Sequence, residues 1–147
     1  MNLRFPLFID LAGKAVVVVG GGAIGLRRAA VLQRFGARVT VIAPEIREKP
    51  EGIAGLLRSY QSGDLTGAFL AVAATNDRVV NHAVYEEARG RGILVNVCDC
   101  PDECDFYFPA ICQTETLVAG LVGDGSDHRR TARAAKAVRK TLEELES

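Results

Sequence analysis

The sequence predicts an α/β fold with a doubly wound parallel sheet, followed by a small β-hairpin and a helix. Before Pro101, short strand-like segments alternate with helical stretches, which is the pattern of parallel strands joined by helices. Three consecutive glycines follow the first strand-like segment, and beyond Pro101 two further strands are joined by a polar turn. We therefore expect one main domain over residues 1–105 and a smaller hairpin and helix segment over residues 106–147.

The first predicted unit is a strand, a turn, a helix and a second strand. Ala15–Val19 contains four valines and suits a strand that is buried on both faces. The helical pattern of Ala23–Phe35 follows, and Gly36 stands where a helix C-terminus favours glycine. Arg38–Ala43 supplies the second strand, which completes the first half of a doubly wound sheet.

Two more strands are predicted at Phe69–Ala73 and Ile93–Val97, with a helix over Asp77–Arg89 between them. The intervening stretch Ile46–Leu65 is less regular. We expect an imperfect helix there, followed by a short edge strand at Arg58–Gln61.

The C-terminal segment has its own pattern. Phe106–Ile111 and Thr116–Val122 read as two strands joined by the polar turn Gln113–Glu115. A final helix begins at about Ser126, with apolar residues on one side and basic residues along another. The apolar set is Ala132, Ala135, Val138, Leu142 and Leu145, and the basic set is Arg129, Arg133, Lys136 and Lys140.

Composition excludes several classes of partner. The chain has 147 residues with 18 basic and 18 acidic side chains, so no overall field favours nucleic acid or a membrane surface. No apolar run approaches the ~20 residues of a membrane helix. Residues 1–6 lack the apolar core of a signal peptide. We expect a cytoplasmic protein.

Four cysteines are crowded into one short segment. They are Cys98, Cys100, Cys104 and Cys112. Their spacing matches neither the C-x2-C pairs of zinc sites nor a ferredoxin run, and neither His82 nor His128 joins them in sequence. We therefore expect free thiols and no metal site, with Cys104 and Cys112 packed against the hairpin.

The glycine turn predicts a dinucleotide site. Gly20, Gly22 and Gly25 form the pattern G-x-G-x-x-G after the first strand. The first glycine allows a tight turn, the second lets the backbone approach a pyrophosphate, and the third lets the helix pack closely on the strand. The amides of Ala23 and Ile24 open the helix and offer unpaired N–H groups to the phosphates. The predicted fold is therefore of the Rossmann type.

An acidic residue supports this prediction. Glu45 follows Pro44 at the end of the second strand, where a carboxylate accepts hydrogen bonds from the adenine ribose. A 2′-phosphate would be repelled there, so NAD is favoured over NADP, although Arg38 and Arg47 weaken that preference. The alternative is that the glycines merely turn the chain, but strand, turn, helix, strand and acidic residue follow one another in register.

Several motifs together resemble the precorrin-2 dehydrogenase/sirohydrochlorin ferrochelatase family. These motifs are Pro6–Leu11, Val19–Gly22, Val41–Glu45, Ala73–Asp77, Asn96–Asp99 and Phe108–Ala110. The resemblance covers nearly the whole chain up to about Val122. No single motif is diagnostic, but Asn-Val-x-Asp followed by Phe-Pro-Ala, after a dinucleotide fingerprint, is a specific combination.

The resemblance implies an activity and a set of partners. It implies oxidation of precorrin-2, a tetrapyrrole, to sirohydrochlorin with NAD as the hydride acceptor, and some relatives then insert ferrous iron. Members of the family dimerise through a segment after the nucleotide domain, which implies a homodimer through the hairpin here. The relatives' usual Ser-x-Gly-Gly-x-Ser-Pro-like turn is replaced by Gly123–His128, and the chain stops at Ser147 where relatives continue. The ferrochelatase step is therefore less firmly implied than the oxidation.

The resemblance also implies site residues. The aspartate that matches Asp99 is the main catalytic candidate in relatives, and a carboxylate there can accept the proton that is lost with the hydride. Alternatively, Asp99 only caps the loop that contains it. Thr75 and Asn76 leave a strand near the nicotinamide half of the cofactor, although Asn76 could also cap the next helix.

Substrate carboxylates call for local positive charge. Arg129 and Arg133 on the final helix are candidates to bind them through charge-assisted hydrogen bonds. The alternative is a solvated helix face, which is what most charged runs are.

Two other functions compete with this interpretation. A non-enzymatic NAD-sensing module, like those that regulate ion transporters, has a similar length and fingerprint, but the Pro6–Phe8 segment and the hairpin fit a substrate-covering dimer better. A short-chain dehydrogenase needs a Tyr-x-x-x-Lys pair. The three tyrosines, Tyr60, Tyr85 and Tyr107, are followed at that spacing by Asp64, Arg89 and Ile111.

Overall fold

A computed structural model describes residues 3–147 of the chain. Met1 and Asn2 lie outside the described residues. They belong to residues 1–6, the segment in which the sequence predicts no signal peptide. The chain forms two compact units. The first unit is Ile9–Phe106, and the second combines the described residues up to Phe8 with Tyr107–Ser147.

The first unit contains a five-stranded parallel sheet. Its strands are β1 (Ala15–Val19), β2 (Arg38–Ala43), β3 (Ala54–Leu57), β4 (Leu70–Ala73) and β5 (Leu94–Val97). Their order is β3-β2-β1-β4-β5, so the chain first moves outward from β1 on one side and then on the other. The order therefore reverses between β1 and β4, where open α/β sheets bind ligands at the carboxyl ends of the strands.

Two helices connect these strands. α1 (Ala23–Arg34) joins β1 to β2, and α2 (Arg78–Arg91) joins β4 to β5. Because crossovers between parallel strands are right-handed, the two helices cover opposite faces of the sheet. Gly36 after α1 and Gly92 at the end of α2 adopt positive φ angles of 94° and 68°, which favour glycine at helix ends.

The strands form the core as their sequences predict. Val16–Val19 are at most 9% exposed, so β1 is buried on both faces. On the α2 side, valines and alanines of β1, β4 and β5 pack with Val84 and Ala88. These strand residues are Val17, Val19, Ala71, Ala73, Val95 and Val97. The predicted Rossmann-type sheet is confirmed.

The region between β2 and β4 differs from the prediction. No helix is present in the connection between β2 and β3, which the structure describes throughout, and the edge strand is Ala54–Leu57 instead of Arg58–Gln61. All four β3 residues are exposed, so the strand lacks the buried pattern that revealed the others. Arg58 lies beyond the strand, where its guanidinium pairs with Asp64 at 2.8 Å.

The second unit contains the predicted hairpin and helix. The strands are β6 (Ala110–Gln113) and β7 (Val118–Leu121), which pair antiparallel and are shorter than predicted. α3 (His128–Glu146) packs against β6, where the fully buried Cys112 thiol donates to the carbonyl of Ala135 at 3.3 Å. No described helix is long and apolar enough to cross a membrane.

Candidate dinucleotide site

At two of the three motif glycines, close contacts with neighbouring backbone atoms exclude any side chain. Gly20 has a φ of 130°, and a Cβ on it would lie 2.2 Å from the carbonyl oxygen of Ala74 after β4. A Cβ on Gly25 would lie 2.4 Å from the carbonyl oxygen of Gly20. These positions therefore have no room for a side chain, and α1 lies directly against the turn that follows β1.

Gly22 differs, because its backbone does not require glycine. Its φ of −84° and ψ of −173° suit any residue, and a Cβ would meet nothing within 4 Å. It opens α1, where no described side chain caps the helix and Ala23 and Ile24 are exposed. Open space beside uncapped helix amides fits a pyrophosphate, so the residues present fit a dinucleotide.

Glu45 lies at the same sheet edge as the glycine turn. It follows β2, the neighbour of β1, and Pro44 and Glu45 are both exposed. Gly21 accounts for the close approach, because a Cβ there would lie 2.1 Å from the Glu45 carbonyl oxygen. The pattern G-x-G-x-x-G gives Gly21 no role, although the unbroken run of three glycines is a signal that a side chain is excluded there as well.

Thr75 is fixed by a buried asparagine, Asn81, that no sequence motif indicated. The Thr75 hydroxyl donates to Asn81 Oδ1 at 2.7 Å, and Asn81 Nδ2 donates to the Thr75 carbonyl at 3.1 Å. Asn81 belongs to α2 and is fully buried. Asn76 is exposed in the turn after β4. The alternative role of Asn76 as a helix cap is wrong, because Asp77 caps α2 by accepting from the amide of Val79 at 2.9 Å.

Asp99 is exposed just beyond the end of β5. The preceding residue, Cys98, still pairs with β4, because its amide donates to the carbonyl of Ala73 at 2.9 Å. Since β1, β4 and β5 are consecutive neighbours, the strand spacing places the Asp99 backbone about 10 Å from Gly20 along one edge. The predicted catalytic residue and the glycine turn therefore share the carboxyl edge of the sheet.

The Asp99 carboxylate makes an ion pair with a helix residue. Its Oδ1 accepts from Arg78 Nη1 at 2.9 Å, and no described residue donates a hydrogen bond to its Oδ2. The alternative that Asp99 caps its own loop finds no support, because its partner is Arg78 on α2. One carboxylate oxygen is thus held by Arg78, while the other accepts no hydrogen bond from the described residues.

Asn96, the first residue of the Asn-Val-x-Asp motif, has a different environment. It is 4% exposed, its Oδ1 accepts from Arg28 Nη1 at 2.6 Å, and its Nδ2 donates to the Phe106 carbonyl at 3.0 Å. Burial lowers the pKa of Arg28. Asn96 therefore connects α1 to the end of the loop that carries Asp99.

No disulfide joins the four cysteines. Cys104, which we expected against the hairpin, instead packs on β5, with its sulfur 3.1 Å from the amide of Val97. This position follows from the loop after β5, which turns back along that strand so that the Asp105 amide donates to the Val95 carbonyl. Burial raises the pKa values of Cys98 and Cys104. The described residues contain no group of three His, Cys, Asp or Glu that could hold a metal ion.

Arg129 and Arg133 lie on the second unit. Both are exposed on the first turns of α3, which follows the altered Gly123–His128 loop. Within that loop, Asp127 caps the helix by accepting from the amide of Arg130 at 2.9 Å. The binding of substrate carboxylates by Arg129 and Arg133 stays a prediction.

The strand order reverses beside β1, a glycine turn follows β1, and an acidic residue follows the adjacent strand β2. These features define a dinucleotide-binding domain of the Rossmann type. A protein-family model described as "Putative NAD(P)-binding" matches residues 7–110. The chain belongs to this family.

Curated relatives are proteins of sirohaem synthesis. The chain is 46% identical over 144 residues to the "Probable multifunctional siroheme biosynthesis protein HemA" of Ruminiclostridium josui, an alignment that covers 93% of this chain and 28% of the relative. It is 43% identical over 142 residues to the "Siroheme synthase" of Pseudomonas aeruginosa (strain LESB58), covering 92% of this chain and 30% of that protein. The chain thus spans less than a third of these relatives.

A solved structure has a similar fold. The structure of "SirC, precorrin-2 dehydrogenase" matches with a TM-score of 0.75 and 27% sequence identity, over 94% of this chain and 71% of that one. Together with the sirohaem synthases, this match confirms the resemblance that the sequence motifs indicated.

Proposed function

We propose that this chain oxidises precorrin-2 to sirohydrochlorin, with NAD as the hydride acceptor. The observation that carries the proposal is the shared sheet edge, where the glycine turn and Asp99 lie two strands apart. The similarity to sirohaem synthases and to a precorrin-2 dehydrogenase supports this substrate. In the balanced reaction the macrocycle loses a hydride and a proton, and NAD⁺ is converted to NADH.

The residues at the turn would hold the dinucleotide. The open space at Gly22 and the amides of Ala23 and Ile24 suit the pyrophosphate. The exposed carboxylate of Glu45 would accept hydrogen bonds from the adenine ribose and repel a 2′-phosphate, which favours NAD. Gly21 supports this contact, because its missing side chain lets the Glu45 backbone approach the turn.

The remaining residues would serve the reaction itself. The bound nicotinamide supplies a hydride acceptor, and Thr75 and Asn76 leave β4 beside the glycine turn to contact that half of the cofactor. Asp99 would accept the proton from the macrocycle at Oδ2, the oxygen that Arg78 does not hold. Arg129 and Arg133 would bind carboxylates of the tetrapyrrole. We propose the oxidation alone and not the insertion of iron.

An anaerobic assay with precorrin-2 and NAD tests the role of Asp99. We expect Asp99→Asn to lower kcat by about 100-fold or more, because loss of a general base has effects of that size. Affinity for NAD should stay unchanged, since the glycine turn is intact. Asp102→Asn is a matched control, because Asp102 is an exposed carboxylate three residues further along the same loop.

The outcomes separate the candidate functions. Wild-type activity in Asp99→Asn would show that Asp99 is not the general base. Binding of NAD without formation of sirohydrochlorin by the wild-type protein would contradict the enzymatic function and favour the sensing module.

We also propose that the chain forms a homodimer through its second unit. That unit exposes a large set of apolar side chains, as expected of a surface that is covered by a partner. The set is Leu3, Phe5, Leu7, Phe8, Leu117, Val118, Val122 and Leu145. A two-stranded hairpin is marginally stable by itself, and association would add apolar burial to it.

A further inference from the structure

Arg78 bridges two carboxylates of the loop that follows β5. It is the first residue of α2, and its guanidinium uses both terminal nitrogens. Nη1 donates to Asp99 Oδ1 at 2.9 Å, and Nη2 donates to Glu103 Oε2 in the short 3₁₀ helix Pro101–Glu103. The planar fork of arginine suits such a bridge, because its donors have a fixed spacing that lysine lacks.

Glu103 is the anchored end of this bridge. Its side chain is 15% exposed, against 43% for Arg78 and 36% for Asp99. Glu103 Oε1 also contacts Nδ1 of His82 at 2.6 Å, and His82 lies four residues after Arg78 on the same face of α2. Burial raises the pKa of Glu103, but the hydrogen bonds from His82 and Arg78 outweigh it and hold that pKa below its usual value. Glu103 is therefore a fixed anion.

The stability of α2 does not explain a cation at the position of Arg78. A positive charge in the first turn opposes the helix dipole, and the favourable cap there comes from Asp77. An ion pair as exposed as that between Arg78 and Asp99 adds little to folding stability. The geometry, in contrast, fixes the direction of one specific carboxylate.

We propose that Arg78 is a positioning residue for Asp99. This inference rests on the proposed function of Asp99 as the base. Arg78 holds Oδ1 and Glu103 holds Arg78. Oδ2, which accepts no hydrogen bond from the described residues, is then the oxygen that accepts the proton of the macrocycle. A carboxylate that swung freely in an exposed loop would spend little time in reactive geometry, and a misplacement of ~1 Å can cost about 100-fold in rate.

Kinetics and hydrogen exchange together test the proposal. Arg78→Gln should lower kcat by about 10- to 100-fold while KM for NAD stays within about twofold. In the protein without cofactor or substrate, amide hydrogen exchange over residues 98–104 should become faster. Arg89→Gln is the matched control, because Arg89 is an exposed arginine of the same helix that contacts Tyr85 and not the loop.

A second variant tests the anchor separately. Glu103→Gln keeps Arg78 and Asp99 but weakens the hydrogen bond and ion pair that hold the Arg78 guanidinium. We therefore expect kcat to fall, by a smaller factor than in Arg78→Gln. Unchanged kcat in Glu103→Gln would remove Glu103 from the bridge. This variant also serves as the test if Arg78→Gln does not fold.

Two results would overturn the role of Arg78. One is wild-type kcat in Arg78→Gln when Asp99→Asn is impaired. The other is a lowered kcat with unchanged exchange in the loop, because Arg78 would then act without positioning it. If Asp99→Asn keeps wild-type kcat, the proposed base fails instead, and the exchange measurement still decides whether Arg78 holds the loop.

Discussion

Gly20 and Gly22 belong to one motif but have different physical reasons to be glycine. At Gly20 a side chain would collide with the backbone of Ala74, and the φ of 130° is itself unfavourable for other residues. At Gly22 the protein leaves open space. The sequence motif predicts a tight turn at the first glycine and room for a pyrophosphate at the second. The contacts at Gly20 and the open space at Gly22 are what these two different roles require.

This difference predicts opposite consequences for two alanine substitutions. Gly20→Ala should destabilise the fold by more than about 1 kcal/mol, because the native backbone is incompatible with a side chain. Gly22→Ala should stay within about 0.5 kcal/mol of the wild type but bind NAD more weakly, because its methyl group occupies the space for the pyrophosphate. Urea denaturation and calorimetric NAD titration measure the two effects. Undiminished NAD affinity in Gly22→Ala would contradict the assignment of this space to the cofactor.

At the scale of elements, Glu87 on α2 organises the chain between β3 and β4. Its carboxylate accepts from the Tyr60 hydroxyl at 2.5 Å and from the amides of Gly63 and Leu65 at 2.7 and 2.9 Å. Arg91 donates to it as well, at 3.0 Å. Burial raises the pKa of Glu87, but these hydrogen bonds outweigh it and hold that pKa below its usual value.

A lowered pKa of Glu87 predicts how stability depends on pH. The carboxylate contributes its full stabilisation above its unfolded pKa, near 4.5, and loses it as the pH falls through the lower folded value. Glu87→Gln should therefore be less stable than the wild type at pH 7, and the difference should shrink under acidic conditions. Urea denaturation across the acidic range measures it. A difference independent of pH would show that the charge of Glu87 is not the source of the stabilisation.

The elements that were predictable are those with strong local signals. β1 and β2 lie where the valine-rich runs of Ala15–Val19 and Arg38–Ala43 predict them, because burial on both faces demands apolar residues. The predicted position of the edge strand, Arg58–Gln61, was wrong because an exposed strand such as β3 needs no run of apolar residues. The bridge from Arg78 to Glu103 joins residues 25 positions apart, so no local pattern could reveal it.

At the scale of the whole molecule, association is the property that the second unit predicts. Phe5 is 86% exposed and belongs to the apolar set of that unit. Light scattering should find a dimer for the wild type, and Phe5→Ser should shift the protein towards monomer. Leu57→Ser is the control, because Leu57 is 71% exposed but lies on β3 of the first unit. A wild-type protein that is monomeric at high concentration would contradict the proposed dimer.

The most direct measurement is the stoichiometry of a single reaction. Wild-type protein, precorrin-2 and NAD are mixed without oxygen, and NADH and sirohydrochlorin are quantified together. Hydride transfer from the macrocycle to a dinucleotide at the glycine turn predicts that the two products form in equal amounts. Sirohydrochlorin without NADH, or neither product from a protein that binds NAD, would contradict it.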